Sequence, residues 1–202
     1  MTARRPLTVA LLTLALAGAG ALAADVVGVP GSSTRFATTT ETTIDGKPGR
    51  LTLTGAALRQ KFYFNVYAVA SYIQEGAKAR TPEDLAAADC PKRLELVMER
   101  TVDGKEMAEA FRAAIRLNYP EPAFSVEVGD LIQFMRSQEA RKGDHIVLTH
   151  LPGVGLHCEL AGRAEILIKS AQFHRAVWDI YLGKNNLGEE IKKGLASRLP
   201  SS

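Results

Sequence analysis

Residues 62–73, which read FYFNVYAVASYI, are the stretch that decides the fold. They are dense in aromatic and β-branched residues and include neither Gly nor Pro, a composition typical of β-strands. We interpret them as a long central strand with both faces covered.

Side chains alternate between the two faces of a strand, which divides this stretch into two sets. One set is expected to be plain core: Phe62, Phe64, Val66, Ala68, Ala70 and Tyr72. The other includes Tyr63, Asn65 and Tyr67, and Arg59 joins it if the extended conformation reaches back that far. Arg offers a planar fork to a carboxylate, and Tyr offers a hydroxyl on an apolar body. This second face is a candidate ligand site. A buried Arg needs a partner, and that partner could be the acidic head of a ligand or an internal Glu or Asp.

The flanking segments predict the remaining architecture. Residues 24–33 are expected to be a loose leader, and residues 34–43 and 51–54 form a hairpin around the turn sequence DGKPG. Asp103 and Glu106 have the spacing of a capping box, and an apolar stripe follows at helical spacing, Met107, Ala110, Phe111, Ala114 and Ile115. Thr81 is expected to cap a short helix before a strand at 94–100, and the second helix with an apolar stripe ends by Gly143. Three short strands follow (145–150, 156–160 and 164–168), then a helix capped by Ser170 and a final helix that begins at Asn185 and Asn186. Because strands and helices are segregated, we expect an α+β fold with a large, mostly antiparallel sheet layered by helices, an open-faced β-sandwich.

The N-terminus predicts export. Arg4 and Arg5 precede an apolar run from Leu7 to Leu22, which ends in a small-residue cleavage pattern at Ala23. That order is typical of a secretory signal peptide, and an uncleaved anchor is the alternative. We expect a signal peptide at 1–23, cleavage after Ala23, one domain at 24–202, no stable membrane span afterwards and a periplasmic or secreted location.

Composition narrows the functional classes. Removing Arg4 and Arg5 leaves 23 basic against 22 acidic residues and no basic stripe, so nucleic acid is not an expected partner. The four His show no metal-binding spacing, and neither a nucleophile elbow nor a phosphate loop is present, so no metal or cofactor is expected. Cys90 and Cys158 could form a disulfide in an oxidising compartment or remain buried thiols.

Three stretches in order resemble the chalcone isomerase-like superfamily. They are LTLTGAALR followed by KFYFNVYAVASYI (51–73), KGDHIVLTHLPGVGLHCELAGRAE (142–165) and FHRAVWDIYLGKNNLGEEIKKGL (173–195). The similarity is greatest to the bacterial branch with signal peptides. The plant enzymes of the superfamily cyclise chalcones without a cofactor. Related non-catalytic members of the superfamily bind fatty acids, with an Arg and a Tyr near the carboxylate.

The resemblance also implies which residues matter. It places the superfamily's strand Arg at Arg59 and its hydroxyl-bearing residue at Tyr67. The enzyme's catalytic Tyr, Lys and Asn fall on Met107, Ala110 and Ala114, so the catalytic set is missing and no catalytic residue is expected.

The leading hypothesis is therefore a non-catalytic protein that binds a fatty acid or other small amphiphile in a cleft between sheet and helices. Its expected ligand-binding residues are Arg59, Tyr67, Tyr63, Asn65, Met107, Ala110, Phe111 and Ala114. The alternatives are an isomerase or intramolecular lyase for an unknown small substrate, and an interaction module of the cell envelope with an unknown protein partner.

Overall fold

A computed structural model describes residues 25–44, 46–160 and 162–200. The expected signal peptide at 1–23 lies outside this part of the chain. Among the described residues, no helix has both the length and the apolar character needed to cross a membrane.

The described residues form nine strands and five helices. The strands are β1 (Val26–Gly28), β2 (Arg35–Ala37), β3 (Thr39–Ile44), β4 (Lys47–Lys61), β5 (Phe64–Gln74), β6 (Lys92–Met98), β7 (His145–Leu151), β8 (Gly155–Leu160) and β9 (Ala164–Ile168). The helices are α1 (Pro82–Ala87), α2 (Gly104–Arg116), α3 (Ser125–Arg136), α4 (Phe173–Leu182) and α5 (Glu189–Leu195).

Strands β3 to β9 form one sheet in sequence order, and every neighbouring pair is antiparallel. The helices cover one face with the larger apolar core, which includes Val69, Leu96 and Trp178. The predicted α+β fold with a large antiparallel sheet layered by helices is confirmed.

The opposite face of the sheet is covered by the N-terminal segment. Strands β1 and β2 pair with each other, and Val29 and Phe36 are buried in a second core with Ala68, Ala70 and Tyr72. The expectation of a loose leader at 24–33 is wrong for residues 25–33, because the sheet offers this segment an apolar surface to cover.

The stretch 62–73 is not one uninterrupted strand. Residues Phe62 and Tyr63 form the turn between β4 and β5, and Arg59 lies on β4, directly opposite Tyr67 on β5. Phe62 and Phe64, expected in the core, are 85% and 70% exposed because they lie at the free end of this hairpin.

Two predicted helix starts need correction. Helix α4 begins at Phe173 after Gln172 rather than after Ser170, and α5 begins at Glu189 rather than at the Asn pair before it. The starts of α1 and α2 agree with the sequence, since Thr81 and Asp103 each accept a hydrogen bond from the backbone three residues ahead.

Candidate ligand-binding cavity

A cavity of about 300 Å³ lies between α2 and the central strands. Leu96, Ile146 and Ile180 are almost fully buried and form its floor, whereas Lys61, Ala110 and Leu117 are exposed and mark its rim. A ligand could therefore reach buried apolar surface from solvent without unfolding the chain.

One wall of the cavity is the apolar stripe of α2. Met107, Ala110, Phe111 and Ala114 all line it, as the spacing along the helix allows. Asp103 caps this helix by accepting a hydrogen bond from the Glu106 backbone at 2.9 Å, which fixes where the first turn begins and so which face points inward.

The opposite wall comes from the β4–β5 hairpin. Arg59 and Tyr67 are cross-strand partners, so both side chains lie on the cavity face of the sheet. The next pair towards the turn is Gln60 with Asn65, so one residue of β5 between Tyr67 and Asn65 has no partner on β4. Val66 is the extra residue of this bulge and lines the cavity next to Tyr67.

Tyr67 meets a second phenol, Tyr181 of α4. Their hydroxyl oxygens are 3.2 Å apart. Burial raises the pKa of Tyr67, and the hydrogen bond to Tyr181 and the charge of Arg59 offset only part of that rise. Burial also raises the pKa of Tyr181 well above its ordinary value, with Tyr67 adding to the effect. Both phenols therefore stay protonated, and because one O–H bridges the pair, the other can donate to a ligand.

Arg59 supplies positive charge beside these phenols. In the described part of the chain its guanidinium has one hydrogen-bond partner, the Leu187 carbonyl at 3.1 Å, and no acidic partner. A guanidinium has five N–H donors, so most of its capacity remains for another group.

The charged residues that line the cavity favour an anion. Arg59, Lys61 and Arg100 are cationic, and Glu106 is the one carboxylate among the described lining residues. Glu106 is already paired with Arg100 at 2.6 Å. The unbalanced charge is therefore positive, and it lies next to an otherwise apolar space.

Two residues expected in the site lie elsewhere. Tyr63 is 95% exposed at the hairpin turn and does not line the cavity. The Asn65 amide donates to the Gly31 carbonyl at 3.0 Å and accepts from Gln60 at 2.8 Å, so it ties the N-terminal segment to the hairpin. The bulge at Val66 shifts the alternation on which both expectations depended.

Tyr181 and Leu187 were not among the expected site residues. Tyr181 lies on the buried face of α4, where the sequence pattern alone makes it a core residue. Its hydroxyl was the available signal, because a buried Tyr O–H needs a hydrogen-bond partner.

A separate polar cluster joins distant parts of the chain. His150 Nε2 lies 2.9 Å from an Asp89 carboxylate oxygen, and the rings of His150 and His174 stack with centroids 3.7 Å apart. Burial, with the neighbouring charge of Lys92, lowers the pKa of His174 to about 3. One ligand atom from each of Asp89, His150 and His174 lies within 4.8 Å of the others, but near-parallel rings do not point their nitrogens at a common centre.

Lys92 beside this cluster is fully buried. Its ammonium donates to the carbonyls of Leu85 and Ala86 at the end of α1, and it lies 4.8 Å from the centre of the Trp178 ring. Burial lowers the pKa of Lys92 to about 7.

The two cysteines are free thiols rather than a disulfide.

The antiparallel sheet, its helical layer and the apolar cavity between them define an α+β protein with a ligand-sized pocket. A family model described as chalcone isomerase-like matches residues 34–196. The chain therefore belongs to the chalcone isomerase-like family, as its sequence motifs predicted.

Comparison with solved structures agrees on the fold. The crystal structure of a fatty-acid binding protein from Arabidopsis thaliana is similar, with a TM-score of 0.67 and 16% sequence identity. The match covers 86% of this chain and 96% of that one. No curated protein sequence matches the chain.

Proposed function

We propose that this protein is a non-catalytic carrier that binds a fatty acid or a similar amphiphile with an acidic head. The observation that carries the proposal is an apolar cavity whose polar end holds a guanidinium that has no acidic partner among the described residues, beside two protonated phenols. The fatty-acid binding activity named for the similar plant structure supports the same ligand class.

The head group would lie between Arg59 and Tyr67. A carboxylate accepts hydrogen bonds from the guanidinium of Arg59 and supplies the negative charge that would balance it. The phenol pair can donate one O–H to it without losing its internal hydrogen bond.

The hydrocarbon part would lie along α2. Met107, Phe111 and Ala114 offer it a wall without polar groups, and Leu96 and Ile146 close the floor. A cavity of this size is at the lower end of those that hold small ligands, which favours a single short or medium chain over a two-chain lipid.

A carrier fits this wall better than an enzyme. Met107, Ala110 and Ala114 are the positions where the superfamily resemblance implies the catalytic Tyr, Lys and Asn, and all three line the cavity with apolar groups. They can neither order a water molecule nor stabilise a phenolate. An open cavity also supports ligand binding over a purely structural interaction module.

We place the carrier outside the cytoplasm because residues 1–23 have the order of a signal peptide. N-terminal sequencing of the protein from the periplasm or medium tests this. We expect Ala24 as the first residue, and recovery only as the full-length chain in the membrane would contradict export and cleavage.

Binding is tested by titrating the protein with a saturated fatty acid and with its methyl ester. The acid should bind more tightly, because only the acid carries the charge that pairs with Arg59. Arg59→Met should weaken binding of the acid by about 10- to 100-fold, the range expected for hydrogen bonds to a charged group, and leave the ester unaffected.

Arg112→Met is the matched control, since Arg112 is exposed on α2 and does not line the cavity. It should bind both ligands as the wild type does. Equal affinity of the wild type for acid and ester, or an unchanged Arg59→Met protein, would contradict the proposed head-group site.

A further inference from the structure

The tip of the β4–β5 hairpin exposes three consecutive aromatic side chains. Phe62, Tyr63 and Phe64 are 85%, 95% and 70% exposed. The other exposed large apolar side chains of the described residues are scattered singly along the chain: Val26, Leu117, Val126, Val154 and Leu167. Single exposed apolar residues are ordinary, but a contiguous apolar tip indicates an interaction site.

The turn itself is built at a cost. Phe62 has a φ of +57°, in the left-handed region that Gly and Asn occupy more readily. A two-residue hairpin turn with a positive φ at its first central residue favours Gly there, whereas this turn has Phe62. The positive φ of Phe62 costs backbone stability, and the exposed aromatic side chains lower solubility. A turn that only connects two strands requires neither.

The tip adjoins the rim of the ligand cavity. Phe62 and Phe64 share a surface depression with Lys61, Arg100 and Glu106, and those last three residues also line the cavity. Whatever surface the tip contacts is thereby brought to the cavity opening.

Phospholipid fits this tip better than a protein partner does. Tyr is favoured at the level of the lipid head groups, where its apolar body is buried and its hydroxyl stays wet, and the Phe rings on either side can enter the apolar side of the interface. Lys61 lies at the base of the tip without a carboxylate partner among the described residues, whereas Arg100 beside it is paired with Glu106, so the base carries a net positive charge that can meet lipid phosphates. Three side chains also offer less than the roughly 800 Å² that each partner buries in a stable protein interface.

We infer that residues 62–64 dock the protein on an anionic phospholipid surface. The aromatic side chains enter the interface and the cations at their base face the head groups. Resting on the proposed function, this contact places the cavity rim where an amphiphile can pass between bilayer and carrier.

The test is flotation of the purified protein with phosphatidylcholine vesicles that contain phosphatidylglycerol. The wild type should float with them, and less so in high salt, because the cations contribute to binding. The double variant Phe62→Ser/Phe64→Ser should bind at least tenfold more weakly. Val126→Ser, which removes an apolar side chain that is 74% exposed on α3, should float as the wild type does.

A second variant separates docking from folding. Phe62→Gly relieves the left-handed strain, so its melting temperature should equal or exceed that of the wild type while its vesicle binding falls. Tyr63→Trp should shift its fluorescence to the blue on vesicle addition, since the indole leaves water.

The outcomes distinguish this inference from the proposed function. Fatty-acid affinity in solution should be unchanged in the tip variants. A wild type that binds fatty acid but not vesicles would overturn membrane docking alone, as would concentration-dependent self-association that the tip variants abolish. Vesicle binding without any fatty-acid binding would instead overturn the carrier function.

Discussion

A single methyl group added at Gly55 should destabilise this protein strongly. Gly55 lies on β4 where α5 crosses it, and a Cβ there would come within 2.1 Å of the Gly194 carbonyl oxygen and 2.7 Å of the Leu195 carbonyl carbon. Both are backbone atoms, which cannot rotate away as a side chain can. The helix must therefore move off the strand, and the hydrogen bond from Arg198 N to the Thr54 carbonyl at 2.8 Å is strained with it.

The cost can be bounded from these distances. Overpacking in a core typically costs about 1–3 kcal/mol, and contact with two consecutive backbone groups of α5, together with a φ of +154° that residues with a Cβ rarely adopt, puts Gly55→Ala near the upper end, about 3 kcal/mol. In a protein of this size that corresponds to a fall in melting temperature of about 6–12 °C.

Gly194→Ala, on the other side of the same contact, is the matched control. Its Cβ would lie 2.9 Å from the Ala56 carbonyl oxygen and 2.9 Å from the Ala57 Cβ, a milder overlap. Replacing Gly by Ala in a helix regains up to about 1 kcal/mol, which offsets only part of the overpacking, so Gly194→Ala should cost about 0–2 kcal/mol, less than Gly55→Ala.

Thermal melts followed by circular dichroism measure both variants. Gly55→Ala should melt well below the wild type and Gly194→Ala between the two. A Gly55→Ala protein that melts with the wild type would refute the prediction, because the close approach of α5 to β4 would then not require glycine at position 55.

Three further predictions follow from the site and the histidine cluster. The pKa of His174 is lowered to about 3, so between pH 6.5 and pH 3 the unfolded chain binds a proton at this histidine that the folded chain does not. The free energy of unfolding therefore has its full value above pH 6.5 and falls towards pH 3, by at most about 1.4 kcal/mol per pH unit. His174→Phe should flatten this dependence in melts at pH 7 and pH 4.5, and an unchanged slope would contradict the assignment. Tyr67→Phe should weaken fatty-acid binding in titration by about 10- to 100-fold, the value of one hydrogen bond to a charged group, and no change would remove Tyr67 from the head-group site. Ala114→Phe should fill part of the cavity, so competition titrations should show that longer fatty acids lose more affinity than shorter ones. An equal loss of affinity for all lengths would place the hydrocarbon chain of the ligand elsewhere.

Local structure could be predicted from the sequence because its causes lie within a few residues. The cap at Asp103 needs only the backbone three positions ahead, and the apolar stripe from Met107 to Ala114 follows from the helical repeat. Strands β7 to β9 were likewise marked by turn residues at their ends.

The hairpin was predicted only in part. Arg59 and Tyr67 were expected together on one extended strand, and they do meet, but as partners on two strands. The turn at Phe62 has none of the Gly, Pro or Asn that usually marks one. Nothing local in the sequence therefore separates it from the strands on either side.

The α+β class, the family and the apolar wall of α2 could be predicted from the sequence, because these depend on composition, motif order and local periodicity. Only the tertiary structure decided that Tyr181 joins Tyr67, that β1 covers the sheet, and that three aromatic residues are left outside at the hairpin tip. These features arise from strand register, from a bulge and from contacts between residues more than a hundred positions apart. Such contacts form only when the whole chain folds, since no short segment includes both partners.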